Sequence, residues 1–152
     1  MADEASQAEL VERAIAWALA RRGSPDYAGR CLAFVEDAYE RANRIEVFGG
    51  ASAAESAALY GTRPIEGDVP RGALVFFAWR GAIGDEVAEW GHVGISLGDG
   101  AVVHAWDEVR VDPLEAMAAL PSSSGWPAPR PLGWTAVERL LADARPREWT
   151  RG

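Results

Sequence analysis

Apolar residues in the first half of the chain recur every three to four positions. Leu10, Val11, Ala14, Ile15, Trp17, Ala18 and Leu19 follow this spacing, which predicts an amphipathic helix over residues 4–22 that ends at Gly23. Ser24, Pro25 and Asp26 then break the chain. A second helix is expected from near Arg30 to about Asn43, with Cys31, Phe34, Val35, Ala38 and Ala42 on one face. Cys31 therefore falls in the first turn of that helix. Ser52 followed by Glu55 fits a capping box and opens a short helix from about Ala53 to Tyr60.

The second half changes period. Ala73 to Trp79 is a short, aromatic-rich apolar run bounded by Pro70 and Gly81, as a buried strand would be. His92 to Leu97 and Ala101 to Trp106 read as two more strands joined at Gly98, Asp99 and Gly100, and Val109 to Val111 adds a fourth. Asp112, Pro113 and Glu115 look like an N-cap, a first-turn proline and a first-turn acid, opening a helix to about Leu120. Residues 121–131, rich in serine and proline, are expected to form a surface loop, and a last helix follows Thr135. Helices first and an antiparallel meander second make an α+β pattern, with N-terminal helices packed on a small sheet.

The length of 152 residues suits a single domain over 1–152, large enough to bury a core without disulfides. One cysteine excludes an internal disulfide. A net charge of −8 argues against a nucleic-acid-binding surface. The longest apolar stretch, Ala14 to Ala20, falls far short of the roughly 20 residues needed to cross a bilayer, so no membrane partner is expected. The acidic start, Met1 to Glu4, is unlike a secretory signal. A cytoplasmic location is the expectation, with non-classical export or phage delivery as the alternatives. Oligomeric state is not legible.

Three rare residues remain: Cys31, His92 and His104. Side chains alternate along a strand, so Val93, Ile95 and Leu97 share one face while His92, Gly94 and Ser96 share the other. The histidines are symmetric about Gly98. An odd-numbered hairpin loop puts them on one face, opposite each other, and the two glycines suit a three-residue loop. A thiol at a helix N-terminus beside an imidazole has two influences that lower its pKa and favour nucleophilic attack. His92 would then be the base, and His104 would fix its tautomer. The first N–H groups of the helix are candidate oxyanion donors. One thiolate and two imidazoles, with Asp107 or water, equally fit a zinc site. Spacing leaves both chemistries open.

The motifs around these residues resemble the NlpC-type cysteine peptidases of bacterial cell walls, which have a papain-like fold; the CHAP amidases are a related branch. The resemblance rests on Cys31-Leu32-Ala33-Phe34-Val35, Gly72 to Phe77, Gly91 to Ile95, and Val103-His104-Ala105. It implies Cys31 as nucleophile, His92 as base and His104 as orienter, without cofactor or metal, acting on a peptide or muropeptide. Arg30, Leu32 and Ala33 stand where the family usually has aspartate, serine and glycine beside the cysteine. Tyr27 is the nearest tyrosine to the thiol, and Arg30 is a candidate for holding a substrate carboxylate. Trp90 and Trp106, each two residues from a histidine, are candidate cleft walls. The function expected is a thiol hydrolase on an amide bond of a peptidoglycan-type peptide. Its rivals are an acyltransferase or non-catalytic binding module on the same fold, and a zinc-binding domain.

Overall fold

The computed structural model describes residues 6–120 and 126–149. Helix α1 spans Gln7–Leu19. The Ser6 hydroxyl accepts from the Glu9 N–H at 3.2 Å and the Ser6 N–H donates back to the Glu9 carboxylate at 3.4 Å, a capping box that fixes the helix start. Residues 4 and 5 of the expected span lie outside the described residues. At the other end the helix stops at Leu19, short of residue 22, and tight turns lead to Gly23 at φ 93°. Helix α2, Cys31–Asn43, buries Leu32, Phe34, Val35, Ala38 and Tyr39. Strand β1 is Ile45–Glu46 and helix α3 is Ala53–Tyr60. The Ser52 hydroxyl caps α3 as expected, accepting from the Glu55 N–H at 3.1 Å. The Glu55 carboxylate reaches the Ala51 N–H, not that of Ser52, so the expected box is only half formed.

The strands that follow are β2 (Leu74–Ala78), β3 (Arg80–Ile83), β4 (Glu86–Glu89), β5 (His92–Ser96), β6 (Ala101–Ala105) and β7 (Val109–Pro113). After a 3-10 helix at Leu114–Ala119 come β8 (Arg130–Thr135), α4 (Val137–Leu141) and β9 (Arg145–Pro146). An antiparallel sheet runs in the order β7-β6-β5-β2-β8. Alternation divides its side chains between two cores. Leu74, Phe76, Val93, Ile95 and Val103 pack with the buried stripes of α1 and α2. Val75, Phe77, Val102 and Trp106 pack on the other face with Trp79, Met117 and Leu120. Each fully buried side chain of this size contributes about 1.5–3 kcal/mol relative to exposure. The architecture is α+β, with helices on a mostly antiparallel sheet. No helix among the described residues is long and apolar enough to cross a membrane.

Two expectations about the second half of the chain are corrected. Asp112 does not cap a helix: it and Pro113 belong to β7, and only a 3-10 helix follows. Because β7 lies at the sheet edge, Pro113 is tolerated there. Within the expected loop at 121–131, Arg130 and Pro131 are paired strand residues opposite Ala78 and Phe77, while residues 121–125 lie outside the described residues. The chain between β2 and β5 also forms a hairpin of its own, β3–β4, turned by Gly84 and Asp85.

Candidate active site

The β5–β6 hairpin sets the geometry. Leu97 donates to the Ala101 carbonyl at 2.9 Å across a three-residue loop, Gly98 to Gly100, whose two glycines take positive φ of 87° and 90°. The odd loop places both histidines on one face, as parity requires. They are not directly opposite, however. The loop is centred on Asp99, so His104 pairs with Gly94 and His92 lies diagonal to it, one step further along the face. Gly94 has no side chain to intervene, and His92 Nε2 and His104 Nδ1 meet at 2.9 Å.

Both imidazoles are buried, His92 at 3% and His104 at 0% exposure. His92 stands edge-on to Trp106 at 5.2 Å and tilted to Phe77 at 5.7 Å. Burial, and then the neighbouring His104, hold the His92 pKa well below the ordinary value. Burial also lowers that of His104, against the opposing pull of Asp112. Asp112 accepts from His104 Nε2 at 2.8 Å and from Arg110 Nε at 2.7 Å. Its carboxyl is held down at about 2, first by the His104 hydrogen bond. The motif reading missed this residue. Its signal was the alternation Val109, Arg110, Val111, Asp112, which continues the strand period past the point where the proline turned the reading toward a helix.

Cys31 is the first residue of α2, and the backbone N–H groups of Val93, Leu32 and Cys31 itself lie near enough to its sulfur to favour the thiolate. Val93 directly follows His92, so the thiol sits at the His92 end of β5. The expected lowering of the thiol pKa is reversed in the free protein: burial outweighs these groups and pushes Cys31 up to about 11. With His92 shifted in the opposite direction, the resting groups are a neutral thiol and a neutral imidazole.

A cleft of about 360 Å³ opens on Cys31. Arg30, Glu36, Ser52, Ile83 and Trp90 are among its walls. Glu36, on the helix that carries the cysteine, is raised to about 7 by burial and then by Glu40 and Asp37. Larger surface clefts of about 660 Å³ and 680 Å³ are lined by no cysteine or histidine among the described residues. Volume alone does not pick out the site.

Arg30 and Trp90 line the Cys31 cleft, but Tyr27 and Trp106 do not. The Tyr27 hydroxyl donates to Asp37 at 2.6 Å and its ring packs edge-on to Phe34, bracing the turn before α2. Trp106 is 2% exposed and packs behind His92 with Trp79 and Trp126. Among the described residues no cluster of three or more His, Cys, Asp or Glu side chains is arranged to hold a metal ion. Asp107, the fourth ligand of the zinc alternative, accepts instead from Arg110 at 3.3 Å.

A cysteine heading a helix, packed on an antiparallel sheet that carries an imidazole pair, defines the papain-like class of fold. The chain belongs to the NlpC/P60 family, whose family model matches residues 23–121. Members of that family are in general cysteine peptidases and amidases of peptidoglycan. No curated protein gives a significant match.

Proposed function

We propose that this protein is a thiol hydrolase that cleaves an amide bond in a peptidoglycan-type peptide through a covalent acyl-enzyme. The observation that carries the reading is the position of Cys31. Its thiol opens on a cleft, heads a helix, and lies near the backbone of Val93, the residue that follows one member of a buried histidine pair.

Because both groups rest neutral, attack is coupled to proton transfer. The Cys31 sulfur bonds to the amide carbon while its proton passes to His92. The first-turn N–H groups of α2 supply donors for the negative charge that develops on the carbonyl oxygen. His92 then gives the proton to the leaving nitrogen as the C–N bond breaks, which leaves a thioester. Water attacks the thioester, His92 takes the water's proton and returns it to sulfur, and the acid is released. His104 orients His92 throughout, and no cofactor is required.

Mass spectrometry of muropeptides incubated with wild type and Cys31→Ala tests the reading. Cleavage by wild type and its loss in the variant are expected. Cleavage by both proteins, or by neither, overturns it.

A further inference from the structure

We infer that Asp112 is a positioning residue which, acting through His104, fixes the tautomer of His92 so that Nδ1 is the nitrogen left free to take the Cys31 proton. The inference rests on the proposed role of His92 as base and adds a member that the thiol and the two histidines do not reveal.

Sheet register brings the parts together. In the β6–β7 pairing His104 lies opposite Arg110, and Asp112 lies opposite Val102, so Arg110, Asp112 and His104 share a face. Arg110 grips both carboxylate oxygens, with Nε at 2.7 Å from Oδ2 and Nη2 at 3.2 Å from Oδ1. Oδ2 lies 2.8 Å from His104 Nε2. An ionised carboxylate only accepts, so the proton at that contact belongs to His104 Nε2. A neutral imidazole carries one N–H, which leaves His104 Nδ1 as an acceptor. The atom facing it at 2.9 Å is His92 Nε2, which must therefore donate. His92 in turn carries one proton, on Nε2, and its Nδ1 is bare.

The reverse arrangement satisfies the contact between the histidines equally well. With His104 Nδ1 donating, His92 Nε2 accepts and the His92 proton moves to Nδ1, where it blocks the base. Two imidazoles in series have no preference of their own between these states. A fixed acceptor at the far end supplies one, as the buried aspartate of a serine triad fixes its histidine.

The resting protein is read by nitrogen-15 NMR of labelled histidines, which identifies the protonated ring nitrogen without any substrate. Both histidines are expected to carry hydrogen on Nε2 in wild type, and hydrogen on Nδ1 of either overturns the inference. This outcome is independent of whether muropeptides are cleaved, so it stands apart from failure of the proposed function. Arg110 Nε donates to the same Oδ2, so an asparagine would still turn its oxygen toward His104; Asp112→Ala instead removes the fixed acceptor, and the second tautomer of each histidine should then appear. Turnover should then fall at least about twofold, the loss expected when the blocked tautomer reaches half of the population, with KM changed less than about threefold. Asp112→Glu, which keeps an acceptor-only end, should restore the wild-type tautomers and much of kcat. A folded Asp112→Ala with unchanged tautomers, or with a loss of activity that Glu does not rescue while its tautomers are native, defeats the inference.

Discussion

Gly94 is the residue on which the imidazole pair depends, and Gly94→Ala tests that dependence. A Cβ at this position would lie 2.4 Å from Val102 Cγ1, 2.9 Å from the His104 Cβ and 2.9 Å from the Val103 carbonyl oxygen. Ordinary carbon contacts are about 3.5–4.0 Å, so every neighbour must give way. Val102 is 1% exposed in the second core, and Val103 is held in the ladder opposite Ile95. Neither has free room to move. Overfilling a packed site costs about 1–3 kcal/mol, and removing a strand glycine returns about 0.5–1 kcal/mol, so a net loss of about 1–2 kcal/mol is expected. His104 must shift by several tenths of an ångström, which carries the 2.9 Å contact with His92 toward the limit of a hydrogen bond. Misplacement on this scale costs about tenfold to a hundredfold in turnover. Urea unfolding measures the first effect, and kcat on muropeptides, at a temperature where the variant is folded, measures the second. Leu140→Ala, a cavity in the other core, is the control: it should cost about 2–4 kcal/mol and leave kcat of the folded protein unchanged. A Gly94→Ala protein within 0.5 kcal/mol of wild type and fully active would refute the register and the reasoning built on it.

Acid should weaken the fold through its buried imidazoles. Below an unfolded pKa of about 6.5 the unfolded chain binds protons that the folded chain refuses, so stability is full above that value and declines as pH falls. A histidine that stayed neutral throughout would lose about 2 kcal/mol between pH 7 and 5, which is the upper bound for His92. The difference in pH slope between wild type and His92→Gln in urea titrations isolates this loss from Glu36, whose raised pKa acts in the opposite sense; identical slopes contradict it. Alkylation of Cys31 by iodoacetamide should be slow at neutral pH and keep rising toward the thiol pKa of about 11. A plateau reached below pH 8 would mean that the resting site is an ion pair.

The elements legible in the sequence are those with an unambiguous period. The stripe Val11, Ala14, Ile15, Ala18 can be buried only by a helix, and the alternation around His92 and His104 fixes their shared face for any odd loop. Whether the two histidines stand opposite or diagonal depends on which residue centres the loop. Gly98 and Gly100 both accept positive φ, and only the closed ladder shows that Asp99 lies between the ends. Asp112 misled because Asp-Pro-x-Glu is a strong local helix start, whereas pairing with β6 is a tertiary contact that outweighs local preference. The thiol pKa misled for a related reason. A position in a helix's first turn is visible in sequence, but the depth at which that turn is buried is not, and here burial dominates.

The placement of charge follows from the same burial. A carboxylate bonded directly to His92 would sit in a dry region among Phe77 and Trp106, where an uncompensated charge costs several kcal/mol. In the proposed mechanism His104 carries the orienting effect one strand outward instead. The Asp112 side chain at the sheet edge is 14% exposed and that of Arg110 is 26% exposed, so the carboxylate is both partly hydrated and ion-paired. Neutral imidazoles thus transmit a preference for one proton arrangement from the edge to the thiol without moving a full charge into the interior. A second histidine does what an asparagine at that position would also do for His92. What the histidine adds is dependence on its own partner, because an asparagine amide has a fixed donor and a fixed acceptor, whereas imidazole must be told which nitrogen to protonate. The price of using His104 is therefore Asp112, and loss of that carboxylate should be felt at Cys31, two rings away.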